Sequence, residues 1–227
     1  MCLNAESLST TLRTYVMAAA CEFAFDSMEL FVGKEDMKFS AAHFTLFGGG
    51  GGGGDDDATR PLPRERLHGH NYNVSLSVRS SASLNGQGML LDFSVLKRAT
   101  RRVCASLDEY TLLPAASPHA VFTTSGANTV CTLTDGTLFS LPSTDVRLLP
   151  VTNVTVEELA RYVVSQLLQQ LADEHGASML TDAGVTHVHL SVRETAGQEG
   201  SVTVRCVPAA VCAPAHSGGS GDISSSA

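Results

Sequence analysis

The chain has 227 residues, 43% of them hydrophobic and 17% charged, a balance that suits one globular domain and argues against global disorder. Its formal net charge of −8 argues against nucleic acid or an anionic membrane as the main partner, because both are bound through concentrated Lys and Arg. No apolar run approaches the roughly 20 residues that span a bilayer, so a soluble protein is expected.

Six cysteines (Cys2, Cys21, Cys104, Cys131, Cys206, Cys212) form no Cys-x-x-Cys pair, which fits free thiols in a reducing, cytoplasmic setting. Residues 1–27 show no firm period and are read as a leader of uncertain structure. The mildly apolar run 14–21 is preceded by Glu6 and by Arg13 as its one cation, a poor match to a secretory signal.

From residue 29 to 46 the text alternates as a half-buried strand does, with Met37, Phe39, Ala41 and His43 on one face. Gly48 to Gly54 and Asp55 to Asp57 form a low-complexity loop, 48–57, read as a surface insertion. A second strand is expected over residues 68–79. Its period of two puts His68 and His70 on one face, about 6–7 Å apart, where they can share a metal ion or simply hydrogen-bond as partly buried histidines. His43, at the end of an apolar row, is the candidate third ligand. A turn through Ser80 to Gly88 returns the chain to Asp92, a helix N-cap, followed by Phe93, Leu96, Val103 and Leu107 at near-helical spacing.

Residues 115–149 read as an inserted β-hairpin, with strand-like text at 120–124, 130–133 and 137–141 and a tight turn at Thr134-Asp135-Gly136. Thr155-Val156-Glu157-Glu158 has the form of a capping box. It opens a helix whose apolar face is Val156, Leu159, Ala160, Val163, Val164, Leu167, Leu168 and Leu171. Residues 185–194 and 201–207 form a last hairpin around residues 196–200. A second His-x-His pair, His187 and His189, shares its face with Ser191 and Arg193 and reads as solvated. The Ser/Gly-rich residues 214–227 are read as a disordered tail. The order predicts an α+β layer of four core strands and two helices over residues 28–213, whose open sheet edges call for self-assembly.

His43 in Phe39-Ser40-Ala41-Ala42-His43, the Leu67-His68-Gly69-His70-Asn71-Tyr72 strand, Gly88-Met89-Leu90-Leu91-Asp92-Phe93, Thr155-x-Glu157-x-Leu159-Ala160 and Glu194-Thr195 come in an order that resembles the 6-pyruvoyltetrahydropterin and 6-carboxytetrahydropterin synthase family. The resemblance covers roughly residues 29–207. It implies the tunnelling fold (ββααββ), a homohexamer built as a dimer of trimeric β-barrels with active sites at subunit interfaces, a pterin triphosphate substrate and zinc (Zn2+). His43, His68 and His70 match the zinc ligands. Three neutral imidazoles would leave one tetrahedral position open, as catalytic zinc requires.

In the resembling enzymes a cysteine precedes His-Gly-His by four or six positions, and here Arg64 and Leu62 stand there. Glu65 instead gives a Glu-x-x-His-Gly-His pattern, similar to the branch that converts 7,8-dihydroneopterin triphosphate to 6-hydroxymethyl-7,8-dihydropterin. Such a base is expected to have its pKa raised towards neutrality. The family's Asp-His pair appears as Asp108-Glu109. Either Glu109 takes over proton transfer, the relay is dispensable, or the synthase reaction is lost. Glu194 matches the pterin anchor and Thr155 another pterin contact, while Arg64 and Arg66 are candidate triphosphate contacts. The sequence therefore predicts a lyase of the folate route. The alternatives are 6-pyruvoyltetrahydropterin synthase activity and a non-catalytic zinc and pterin binder.

Overall fold

Strand β1 (Met28–His43) buries the row expected of it, Met37, Phe39, Ala41 and His43, while the intervening side chains face outward. It pairs antiparallel with β2 (His68–Ser80), and the register shifts between Gly33 and Lys38, so the two halves of β1 are offset. The computed structural model describes residues 26–47, 63–81 and 84–208. The expectations for 1–27, 48–57 and 214–227 lie outside the described residues, apart from Asp26, Ser27 and the strand boundary beside them.

Helix α1 (Phe93–Leu107) starts where Asp92 caps it: Ser94 N donates to Asp92 Oδ1 at 2.7 Å. Its buried face is Leu96, Ala99, Thr100, Val103, Cys104 and Leu107, and Phe93, expected on that face, is exposed. Then come β3 (Tyr110–Pro114), β4 (Ala120–Ser125), β5 (Asn128–Leu133), β6 (Leu138–Pro142) and β7 (Val146–Leu149). Helix α2 (Val156–His175) buries Leu159, Ala160, Val163, Val164, Leu167 and Leu171, with Val156 and Leu168 half-buried at the margin. Each such Leu or Val contributes about 1.5–3 kcal/mol by leaving water, which is why a continuous apolar face fixes the helix on the sheet. Thr155 Oγ1 accepts from Glu158 N at 3.4 Å. The reciprocal half of the capping box is replaced, since the Glu158 carboxylate accepts from Thr152 Oγ1 and Arg161 Nη1 instead. A short α3 (Met179–Asp182) leads into β8 (Val185–Thr195) and β9 (Gln198–Arg205).

The main sheet has six strands in the order β7-β3-β1-β2-β8-β9, not four. β3 and β7 extend it through parallel pairs beside β1, while β1, β2, β8 and β9 pair antiparallel. The predicted 115–149 hairpin is a separate three-stranded sheet, β4-β5-β6, and its last residues are β7 of the main sheet. The final turn is also tighter than expected: Thr195 pairs with Gln198 across two residues, with Gly197 at φ 88°. Both long helices cover one face of the main sheet, and the large core lies between. A second apolar cluster, Phe44, Leu46, Leu113, Cys131, Leu133 and Val146, joins the small sheet to the end of β1.

Candidate active site

His43 closes β1 and His68 opens β2, and the register sets them directly opposite, with His70 opposite Ala41 on the same face. Ring centroids are 4.7 Å apart for His43–His68 and His68–His70, and 5.3 Å for His43–His70. One nitrogen from each lies within 4.8 Å of the others. The sheet has thus assembled three imidazoles by pairing alone.

The tautomers suit a metal. His43 Nδ1 is 2.8 Å from Val154 O and His68 Nδ1 is 2.7 Å from Arg66 O. A carbonyl oxygen only accepts, so both Nδ1 atoms carry the proton and both Nε2 atoms keep their lone pairs. His43 is 3% exposed, and its Nε2 has no hydrogen-bond partner. An orphaned buried lone pair costs about 1–3 kcal/mol, and a cation among the three rings would satisfy it. Desolvation pushes the His43 pKa down against the opposing Val154 bond, and the neighbouring imidazoles push it further, so the ring stays in the neutral ligand form.

His43, His68, His70, Glu65, Thr155 and Glu194 all line one cavity of about 350 Å3. Glu194 Oε2 stands 3.9 Å from His70 Nε2. Glu65 is half-buried in this lining. Thr45 N donates to its Oε2 at 3.2 Å, and Glu65 N donates to Thr45 O at 2.9 Å. The carboxyl pKa is lowered, contrary to the sequence expectation. Desolvation raises it, but hydrogen bonding from Thr45 and the nearby His68 and His43 outweigh that effect. Glu65 is therefore held as a carboxylate.

Four expected site residues do not line this cavity. Arg64 turns away: its guanidinium lies 5.1 Å over the Phe139 ring, and Nη1 donates to Glu65 O at 2.9 Å. Arg66 is exposed outside the lining. Asp108 Oδ1 accepts from Ser40 N at 2.6 Å, and Glu109 N donates to Ser40 O at 2.7 Å; Glu109 lines a second hollow, with Ala42 and Gly69, that shares His70 with this cavity. Glu109 holds φ 63° there. Conversely, Thr45 and Gln198 line the cavity without having been singled out from the sequence, as does Glu157, which was quoted there only as part of the Thr155 motif and the capping box. His187 and His189 bond Thr186 and Thr203 Oγ1, and they do not belong to a metal-capable cluster among the described residues. Tyr72, fully buried behind the triad, has a hydroxyl without a partner; burial first, then Glu194 and Glu65, push its pKa up.

An α+β layer with three histidines poised for a metal beside carboxylates defines a metal-capable enzyme pocket. A family model for 6-pyruvoyl tetrahydropterin synthase matches residues 33–203, and the chain belongs to this family of pterin synthase-like lyases. The structure is similar to that of 6-pyruvoyl tetrahydropterin synthase from Plasmodium vivax, with 30% identity, TM-score 0.69 and coverage of 79% of this chain and 99% of that one. The Plasmodium falciparum enzyme matches at 30% identity and TM-score 0.69, over 80% of this chain and 100% of that one. Two further P. vivax structures carry Ala or Cys at a glutamate that is named there as a catalytic residue. A Methanocaldococcus jannaschii protein provisionally named 6-carboxy-5,6,7,8-tetrahydropterin synthase is 26% identical over 140 residues, covering 58% of this chain and 76% of that protein.

Proposed function

We propose that the protein is a zinc-dependent lyase that converts 7,8-dihydroneopterin triphosphate to 6-hydroxymethyl-7,8-dihydropterin, the folate route. The observation that carries this reading is Glu65, a carboxylate lining the same cavity as the three histidines, in a chain lacking cysteine four or six positions before His68. The catalytic glutamate named in the P. vivax relative supports it. His43, His68 and His70 would hold Zn2+ through their free ring nitrogens. When bound, zinc supplies a Lewis acid that polarises substrate oxygens.

The protein's own residues do the rest. Glu194 accepts two N–H donors from the edge of the pterin ring, with Thr155 beside it. Glu65, already ionised, takes the C2′ hydroxyl proton; the C1′–C2′ bond then breaks, the C2′–C3′ fragment leaves as an aldehyde carrying the triphosphate, the pterin imine accepts the electron pair, and the proton held by Glu65 returns to C1′ to give the hydroxymethyl product. The relatives' names favour a second reading, 6-pyruvoyltetrahydropterin synthesis, in which the base takes the C1′ proton and triphosphate leaves. Edge strands β7 and β9 suit closure by further copies, and the family resemblance makes the assembly a homohexamer of two trimers with sites at subunit interfaces. In that assembly Asp108 and Glu109 serve a neighbouring copy's cavity. A cytoplasmic location completes the reading; among the described residues no helix is long and apolar enough to cross a membrane.

The test is product identification by chromatography and mass after incubating the zinc-loaded protein with 7,8-dihydroneopterin triphosphate. 6-Hydroxymethyl-7,8-dihydropterin is expected. 6-Pyruvoyltetrahydropterin would select the second reading, and no turnover by a metal-loaded protein would overturn both.

A further inference from the structure

Among the described residues, the segment that carries Glu65 has no strand of its own. Residues 63–65 are tied to 45–47 by a single antiparallel bridge, Leu46 with Arg64, flanked by Phe47 N donating to Pro63 O at 2.8 Å and Glu65 N to Thr45 O at 2.9 Å. So short a ladder is marginal alone. Alternation along the extended segment sends Arg64 to the side opposite Glu65. On that side waits Phe139 of β6, whose ring faces the guanidinium at 5.1 Å and stacks on Phe44 at 4.9 Å and 14°. Phe44 is fully buried and directly follows the ligand His43. Arg64 Nη1 then closes the arrangement on Glu65 O at 2.9 Å.

We infer that the inserted β4-β5-β6 sheet is a positioning device for Glu65: Phe139 clamps the Arg64 guanidinium and so fixes where the neighbouring carboxylate stands. Arg64 is thereby a positioning residue rather than a phosphate contact. The attraction of a guanidinium for a ring face is enough to shift a weakly tethered segment between two arrangements. Phe139 also packs against Phe44, so the metal-ligand strand and the base segment share one anchor. The catalytic part of this inference rests on the assignment of Glu65 as base; the clamp itself does not.

The experiment therefore has two readouts on the zinc-loaded protein. Phe139→Leu keeps apolar bulk but loses the ring face, Phe139→Tyr restores it, and Arg64→Met removes the cation from outside the core. Amide hydrogen exchange at Thr45 and Glu65 is expected to speed up about tenfold or more in Phe139→Leu and in Arg64→Met, with Phe139→Tyr close to wild type and the double variant no worse than either single one. In the same variants kcat on 7,8-dihydroneopterin triphosphate should fall about tenfold or more with KM and zinc content held, because a displacement near 1 Å costs up to about a hundredfold. In a Glu65→Ala background Phe139→Leu should change the residual rate no further. Unchanged exchange in Arg64→Met, which does not depend on the core packing of Phe139, overturns the clamp. Altered exchange with unaltered kcat overturns its catalytic consequence. Altered exchange in a protein without turnover supports the clamp and overturns only the functional reading.

Discussion

Replacing Gly200 by alanine probes how closely β9 and the start of α2 must approach. A Cβ on Gly200 would sit 2.5 Å from Val156 C, 2.6 Å from Glu157 N and 2.7 Å from Val156 O. All three are backbone atoms, so no side chain can swing aside. Ordinary contact begins near 3.4 Å, and the first turn of α2 must therefore retreat from β9 by about 0.9 Å. That turn carries Thr155 and Glu157 on one wall of the cavity, and the β8–β9 hairpin carries Glu194 and Gln198 on the other. Overpacking of this kind costs about 1–3 kcal/mol of stability. The retreat should also lower kcat/KM about tenfold to a hundredfold, because the pterin contacts move apart. Urea unfolding and steady-state kinetics measure the two effects. Gly86→Ala is the control: nothing lies within 4 Å of its added Cβ, and it should leave both unchanged. An unaltered unfolding midpoint in Gly200→Ala would refute the packing argument. A lowered midpoint with wild-type kcat/KM would refute the link from this contact to the cavity.

His68→Ala should lose most bound zinc in metal analysis, and a fully loaded variant would rule out the triad. Acid should act through His43. Its folded pKa lies below the usual 6.5, so the stability tied to its neutral ring is fully present above 6.5 and drains as pH falls through the lower folded value. Urea midpoints of the metal-free protein should drop over that window and drop less in His43→Asn, whereas equal drops would refute the assignment. Thr155→Ala should cost about 1 kcal/mol through the lost cap. If Thr155 also contacts the pterin, KM rises as well; a stability loss with KM unchanged confines it to capping.

The clustering of His43, His68 and His70 was legible because two of them are two residues apart and the third ends an apolar row of the same period, so strand geometry alone puts them on one face. Helix α2 was legible for a similar reason, a cap followed by an uninterrupted apolar face. β3 and β7 were not. They have five and four residues, and their parallel partners are far away in sequence, so no local period announces them. Arg64 and Arg66 stay out of the cavity lining by alternation: if Glu65 faces the cavity, its two neighbours on an extended segment face away. Glu157 and Gln198 enter the lining because the close approach at Gly200 brings the α2 start against the β8–β9 turn, a tertiary fact no local pattern carries.

The charge of the cavity also constrains how a substrate can lie in it. Glu65, Glu157 and Glu194 are in its lining, and among the described residues no Lys or Arg is. A divalent ion on the histidines offsets two of those three negative charges, so the pocket stays hostile to a further anion. Hydrogen-bond donors are welcome instead, and the guanidine-like edge of a pterin offers them to Glu194. For the proposed triphosphate substrate, the phosphates would therefore have to lie outside this lining. Within the same lining Thr45 and the imidazoles keep Glu65 ionised, the form in which the proposed mechanism uses it.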